Sequence, residues 1–147
     1  MSCFHIVRYE LQGLAYHGVI EDGGTIARLD GTPFEELRFS GQQDPVAAVR
    51  ILAPVEHPRI VGRVDNDKAH AVVRGKPVPQ LPVLFMKPGT SVIGPDESIV
   101  YPVDGENVHF EGELTVVIGK RARHVPEAEA LDYVLGYTCG NDVSDRV

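Results

Sequence analysis

The chain has 147 residues, of which 43% are hydrophobic and 24% charged, and its formal net charge is -7. This much apolar material is enough for one compact core and a small appendage. The acidic balance argues against a nucleic-acid or membrane partner, because no basic field would attract either polyanion. Fifteen glycines and eleven prolines indicate short elements, which favour a β-rich architecture over a helix bundle.

The cysteines and the start of the chain indicate the cellular compartment of the protein. Cys3 and Cys139 stand at opposite ends without Cys-x-x-Cys spacing, which predicts neither a disulfide framework nor a zinc knuckle. We find no export signal, and no apolar run approaches the length of a membrane span. We therefore expect a cytoplasmic protein.

Residues 1–52 predict a small β domain. Three strands and a turn form a meander, followed by one helical turn and a polar loop. In chain order these are Cys3–Tyr9, Leu14–Ile20, the turn Glu21–Gly24, Thr25–Leu29, the helical turn Phe34–Leu37 and the loop Gly41–Pro45.

Residues 53–147 predict a second, longer domain, so that the fold class is mainly β (α+β). Apolar runs and Gly/Pro punctuation divide it into strands and two short helices. In chain order these are a strand Arg59–Val64, a helix through Arg74 ended by Gly75, a strand Val83–Met86, a hairpin of Ser91–Ile93 and Ser98–Tyr101, a long strand Val108–Ile118, a helix Pro126–Leu135 and a strand Tyr137–Val143.

The long strand carries two carboxylates on one face. Side chains alternate along a strand, so Glu111 and Glu113 point the same way, about 7 Å apart at the backbone. The opposite face, with Phe110 and Leu114, is expected to be core. Two like charges side by side need water or a cation between them, although a solvated strand face explains the pattern equally well.

A third carboxylate, Asp142, lies at the end of the last predicted strand. Three carboxylates with no nearby cysteine form an all-oxygen set, which suits Mg²⁺, Mn²⁺ or Ca²⁺ rather than zinc. Such an ion would polarise a carbonyl and stabilise the enolate of a 2-oxo acid.

Several motifs together resemble the fumarylacetoacetate hydrolase family. They are His109–Lys120, Gly136–Thr138 and Asn141–Arg146, with Leu84–Pro88 and Ile93–Pro95 upstream in the same order and spacing. The resemblance covers about residues 58 to 147 and implies the first part of the family's mixed β roll. The first fifty residues are similar in kind to the small β domain that precedes the catalytic domain in many bacterial members.

The resemblance also implies roles for individual residues. Glu111, Glu113 and Asp142 match the family's divalent-metal ligands, usually filled by Mg²⁺ or Mn²⁺. Lys87 and Arg146 match positions that face the substrate, where positive charge holds a carboxylate or oxyanion. Without the resemblance, both would be interpreted as solvated surface charges.

The family has a lid segment, Asn-Tyr-x-x-His-x-x-Glu, whose His and Glu activate water in hydrolytic members. Asn66 and His70 keep the spacing and match a substrate contact and the base, but Asp67 replaces the Tyr and Val73 replaces the Glu. Valine cannot fix the tautomer of a histidine. This favours isomerisation or decarboxylation over hydrolysis.

The function implied is that of a metal-dependent isomerase, decarboxylase or C–C hydrolase. Its substrate would be a small anionic 2-oxo or 2-hydroxydienoic dicarboxylic acid of the aromatic-catabolism type, and we expect a homodimer. Family members continue beyond the Asp-Val-Ser-x-Arg motif, whereas this sequence stops one residue after Arg146. The alternatives are a truncated or degenerate member that binds metal or acid without turnover, and an unrelated β domain.

Overall fold

The computed structural model describes residues 4–65, 68–73, 75, 77 and 79–146. Every strand pairing among these residues is antiparallel, and short strands outnumber helices. The predicted fold class, mainly β, is confirmed.

Five strands form a sheet at the start of the chain, in the order β4-β3-β2-β1-β5. Gln12 and Gly13 connect β1 to β2 with positive φ angles of 53° and 80°, as a two-residue hairpin of right-handed twist requires. Gly23 and Gly24 also have positive φ and connect β2 to β3, so the predicted meander is confirmed. The strands are β1 His5–Leu11, β2 Leu14–Glu21, β3 Thr25–Leu29, β4 Phe39–Pro45 and β5 Arg50–Ile51.

Two predictions for this sheet were wrong. Phe34–Leu37 is turn and irregular chain rather than a helical turn. Gly41–Pro45, expected as a loop, belongs to β4, which pairs with β3. The sequence of β4 is polar and lacks the apolar pattern that predicts a strand. A buried carboxylate, rather than an apolar side chain, anchors this strand in the sheet.

That carboxylate, Asp44, is the centre of the core. Arg28 donates to both of its oxygens, from Nη2 to Oδ1 at 2.7 Å and from Nε to Oδ2 at 2.8 Å. The Tyr9 hydroxyl donates to Oδ2 at 2.5 Å, and the Arg28 guanidinium lies 4.0 Å above the ring of Tyr16. Apolar side chains surround this group; the buried ones are Tyr9, Val19, Ile26, Ala27 and Leu29.

The protonation states of Asp44, Arg28 and Tyr9 are well defined near neutral pH. The hydrogen bonds from Arg28 hold the pKa of Asp44 below its usual range, since they stabilise the carboxylate. Burial, followed by the hydrogen bond to Asp44, raises the pKa of Tyr9 to about 12. The buried group therefore consists of one anion, one cation and one neutral hydroxyl over the neutral pH range.

The remaining described residues form three antiparallel strand pairs: β6 with β7, β9 with β10, and β8 with β11. The backbone of Leu52 donates to Arg8 O at 2.8 Å, and Arg8 pairs with Glu56 at 2.7 Å, which ties this part to the first sheet. The elements are β6 Ile60–Val64, α1 Lys68–Val73, β7 Val83–Lys87, a 3₁₀ turn Gly89–Ser91, β8 Val108–His109, β9 Gly112–Ile118, a 3₁₀ helix Glu127–Tyr133, β10 Val134–Asn141 and β11 Ser144–Asp145.

Three predictions for this part need correction. The long strand is divided at Phe110 and Glu111 into β8 and β9, because its halves pair with different partners. The predicted helix after Pro126 is a 3₁₀ helix that ends at Tyr133. Ser91–Ile93 and Ser98–Tyr101 form no strands.

Burial is distributed unevenly. Every residue that is buried among those described lies before residue 45. The face of the predicted long strand that was expected to be core is exposed, with Phe110 at 85% and Leu114 of β9 at 73%, since among the described residues no layer packs on the β9–β10 ribbon. No helix of the described part has the length and apolar character needed to cross a membrane.

Candidate functional site

The candidate site forms where the β9–β10 pair adjoins the β8–β11 pair. Glu111 lies in the gap between β8 and β9, and Asp142 lies in the gap between β10 and β11. The backbone N–H of Asp142 donates to Glu111 O at 2.8 Å. Antiparallel pairing on both sides of this bond therefore brings two predicted metal ligands, 31 positions apart in sequence, next to each other.

Both carboxylates are paired with cations. Arg146 Nη2 donates to Glu111 Oε1, and Lys87 Nζ forms an ion pair with Asp142 Oδ1. We call these four residues the charge-paired site. The cations are the two residues predicted to hold a substrate anion, so the structure brings the predicted anion-binding and metal-binding groups into direct contact.

Lys87 reaches the site from β7. Its ammonium donates to Val143 O at 2.9 Å and to Ser144 Oγ at 3.2 Å. Because these partners and Asp142 are consecutive in the chain, a single ammonium holds the whole segment that joins β10 to β11. The Lys87 and Asp142 side chains are 27% and 20% exposed, so the pair is partly buried.

The donor set fits a hard divalent cation in its chemistry. Asp142 Oδ1 is buried, and no hydrogen bond from the described residues reaches it, although the Lys87 ammonium lies against it without hydrogen-bond geometry. A buried carboxylate oxygen without a hydrogen bond is costly unless a cation compensates it, and here the Lys87 ammonium is that cation. An oxygen of this kind is a suitable ligand for Mg²⁺ or Mn²⁺.

The third predicted ligand lies farther along the strand. Glu113 is an exposed residue of β9, directly opposite Gly140 of β10. Among the described residues, no group of three or more His, Cys, Asp or Glu side chains is gathered as a metal centre. The assignment of Glu111, Glu113 and Asp142 as a metal triad stays a prediction.

The predicted lid residues are described only in part. His70 lies in α1, but its side chain is outside what the structure describes, and so are Asn66 and Asp67. Val73, at the position of the family's Glu, is 86% exposed. The roles of Asn66 and His70 stay predictions.

Two asparagines of the site were missed from the sequence. Asn141 Oδ1 accepts from Glu111 N at 3.0 Å, and Asn107 Nδ2 donates to Arg146 O at 3.0 Å. Asn141 directly precedes Asp142, which was the available signal. Nothing in the local pattern of Asn107 indicates that it lies beside Arg146, because 39 positions separate the two.

Two surface depressions among the described residues lie away from this site. One of about 300 Å³ is lined by Asp30, Glu35, Glu36 and Arg38. Another of about 410 Å³ is lined by residues of the first sheet, including Phe39, and by Phe4 just before it. Neither is lined by the charge-paired site, which is identified by its chemistry rather than by concavity.

Two family models match adjoining parts of the chain. The model described as Rv2993c-like, N-terminal, matches residues 5–54. The model described as fumarylacetoacetate (FAA) hydrolase C-terminal matches residues 57–147, more than half of the chain. The chain belongs to the fumarylacetoacetate hydrolase family. The resemblance inferred from the motifs around Glu111 and Asp142 is therefore confirmed.

Individual members of the fumarylacetoacetate hydrolase family are similar over long stretches. Protein Rv2993c of Mycobacterium tuberculosis is 46% identical over 78% of this chain and 43% of its own length. Caffeoylpyruvate hydrolase of Neonothopanus nambi is 50% identical over 55% of this chain and 30% of its own length. The crystal structure of 5-carboxymethyl-2-hydroxymuconate delta-isomerase from Mycobacterium smegmatis matches with a TM-score of 0.86 and 38% identity, over 96% of this chain and 55% of that chain.

The chain thus spans about half or less of the length of these relatives. The names of these relatives include a hydrolase and an isomerase, which supports an enzymatic family background. The boundary predicted near residue 52 lies close to the point where the two family models meet, and the division into domains stays a prediction.

Proposed function

We propose that this chain carries the metal-binding and anion-binding part of a divalent-metal-dependent enzyme that acts on small 2-oxo or 2-hydroxydienoic dicarboxylic acids. The observation that supports this is the charge-paired site, in which Lys87 contacts Asp142 and Arg146 contacts Glu111. Carboxylates for a cation and cations for a carboxylate are the two groups that a chelating oxo acid requires.

Each residue has a distinct role in this proposal. Glu111, Asp142 and Glu113 would hold Mg²⁺ or Mn²⁺, with Ca²⁺ as a third option, and the bound ion would polarise a carbonyl oxygen of the substrate. Lys87 and Arg146 would hold the substrate's carboxylates. Their positive charge also stabilises the negative charge that develops when a proton leaves the carbon next to the carbonyl.

Isomerisation or decarboxylation suits these residues better than hydrolysis. Hydrolysis needs an activated water, and a histidine base needs a partner on its second nitrogen. Val73 cannot provide that partner, and it is 86% exposed. If His70 acts, it therefore moves a proton on the substrate rather than on water.

Calorimetric titration with Mn²⁺, followed by oxalate as a stable 2-oxo acid analogue, tests the site. We expect wild-type protein to bind Mn²⁺ and then oxalate, and Glu111→Gln to lose both. Glu106→Gln, an exposed carboxylate outside the site, is the control and should bind as wild type. Absence of Mn²⁺ binding by the wild-type chain would refute the proposal.

The reaction type is tested separately. With Mg²⁺ present, we expect ultraviolet absorbance to show tautomerisation of a 2-hydroxydienedioate faster than cleavage of an acylpyruvate. Faster cleavage would favour the hydrolase. The expected homodimer and cytoplasmic location stay predictions.

A second candidate function is binding without turnover. The strands that carry the site have no buried residue among those described, and a site on such strands lacks the rigid support that catalysis needs. Mn²⁺ and oxalate binding without turnover of either substrate class would favour this candidate.

A further inference from the structure

The backbone of Glu111 is held by two residues at the end of β10 rather than by strand pairing of its own. It lies in the gap between β8 and β9, where no strand ladder fixes its peptide groups. Two consecutive residues take over that function. Asn141 Oδ1 accepts from Glu111 N at 3.0 Å, and Asp142 N donates to Glu111 O at 2.8 Å.

The two bonds have different origins. The bond from Asp142 is a backbone bond, which any residue at position 142 except proline could make. The bond to Asn141 uses a side-chain oxygen, so it depends on the residue type. Within the described residues, this side chain is the part of the arrangement that a point mutation can remove without touching a predicted ligand.

We propose that Asn141 is a positioning residue that fixes the Glu111 peptide, and through it the Glu111 carboxylate, beside Asp142. This inference rests on the proposed function, in which both carboxylates hold a divalent cation. Groups that orient metal ligands commonly contribute about 10- to 100-fold to metal affinity. Asn141 itself is exposed, so its hydrogen bond competes with water and contributes little to global stability.

A purely structural role of Asn141 would change Mn²⁺ affinity and the unfolding midpoint together, whereas a positioning role changes the affinity alone. Asn141→Ala should weaken Mn²⁺ binding by about 10- to 100-fold, with the unfolding midpoint nearly unchanged. Asn141→Asp keeps an oxygen that can accept from Glu111 N, so it should bind Mn²⁺ at least as tightly as wild type. Ser40→Ala is the matched control, because Ser40 Oγ accepts from Gln42 N at 3.2 Å in the first sheet.

The experiment uses the 147-residue chain. Mn²⁺ affinity is measured by calorimetry, folding by circular dichroism, and exchange of the Glu111 amide hydrogen by nuclear magnetic resonance without metal. We expect Asn141→Ala to exchange this hydrogen faster and to bind Mn²⁺ more weakly, while Asn141→Asp and Ser40→Ala do neither. Wild-type affinity in Asn141→Ala, or equal loss in Asn141→Asp, would overturn the inference.

Two further outcomes have defined meanings. If Asn141→Ala does not fold, Asn141→Asp decides, since retained binding supports the role of the acceptor oxygen and lost binding contradicts it. If the wild-type chain binds no Mn²⁺, the proposed function fails. The exchange rate then decides the inference alone: faster exchange in Asn141→Ala supports positioning, and an unchanged rate overturns it.

Discussion

The ammonium of Lys87 lies against the carboxylate of Asp142, so the residue expected to hold the substrate contacts a residue expected to hold the metal. In the proposed site, a divalent cation would compete with this ammonium for one carboxylate oxygen, and its entry would free the ammonium for an anionic ligand. The pair would thus link cation binding to anion binding through a single side chain.

Replacement of Lys87 by methionine should tighten Mn²⁺ binding. The expected gain is about 1.4- to fivefold, because a partly exposed ion pair contributes about 0.2–1 kcal/mol. Oxalate binding in the presence of Mn²⁺ should weaken. Calorimetry measures both. Lys120→Met, which removes a cation stacked on Tyr133, should change neither, and weaker Mn²⁺ binding by Lys87→Met would contradict the competition.

Replacement of Asp44 by asparagine should strongly destabilise the first sheet. The change leaves the Arg28 guanidinium, whose side chain is 16% exposed, without its counter-ion. Loss of one partner of a fully buried pair costs about 3–5 kcal/mol, and the lower value is expected here because water reaches Arg28. Urea unfolding followed by circular dichroism gives the change. Glu36→Gln removes an exposed partner of Arg38 and should have no measurable effect. Equal stability of the two variants would show that the buried pair is unimportant.

Stability should fall as the solution is made weakly acidic, because of His17. Burial, followed by the charge of Arg8, lowers the pKa of His17 in the folded chain. As pH falls, the unfolded chain takes up the proton first, so stability is complete above about pH 6.5 and decreases as pH approaches the folded pKa. Urea midpoints from about pH 8 to about pH 5 measure this. A His17→Gln variant should show a flatter profile, and an unchanged slope would assign the effect to other groups.

Gly62 should not tolerate a side chain. It lies directly opposite Phe85 in the β6–β7 pair, and a Cβ at this position would overlap the phenyl ring. Gly62→Ala should therefore displace the phenyl ring and lower stability by about 1 kcal/mol, the low end of the cost of overpacking, because this strand pair has no buried residue among those described. Thermal unfolding measures the loss. Gly136→Ala is the control, since a Cβ there meets nothing within 4 Å.

Local sequence patterns predicted the local parts of this fold. The meander followed from alternating apolar residues and the Gly23–Gly24 turn, which need no knowledge of distant residues. The strand Phe39–Pro45 was missed because its place depends on the pairing of Asp44 with Arg28, 16 positions away. Periodicity records which residues are apolar, and it does not record ion pairs.

The candidate site likewise combines features that local sequence predicts with features that depend on distant residues. The carboxylates of Glu111 and Asp142 were identified from residue type and family resemblance, and the structure brings these two residues together. The division of the long strand at Glu111 was not predictable, because it arises from the change of partner between β11 and β10. The role inferred for Asn141 follows from that division.

Within the part of the chain that the structure describes, buried residues are confined to the first 45 positions, which gives the two parts unequal resistance to opening. Local openings with low free energy are those that a protease can reach. Cleavage should begin in the strands that carry the charge-paired site and spare the first sheet. A ligand that bridges Glu111 and Asp142 would join β8–β11 with β9–β10, so protection from proteolysis would report occupancy of the site even where no reaction is observed.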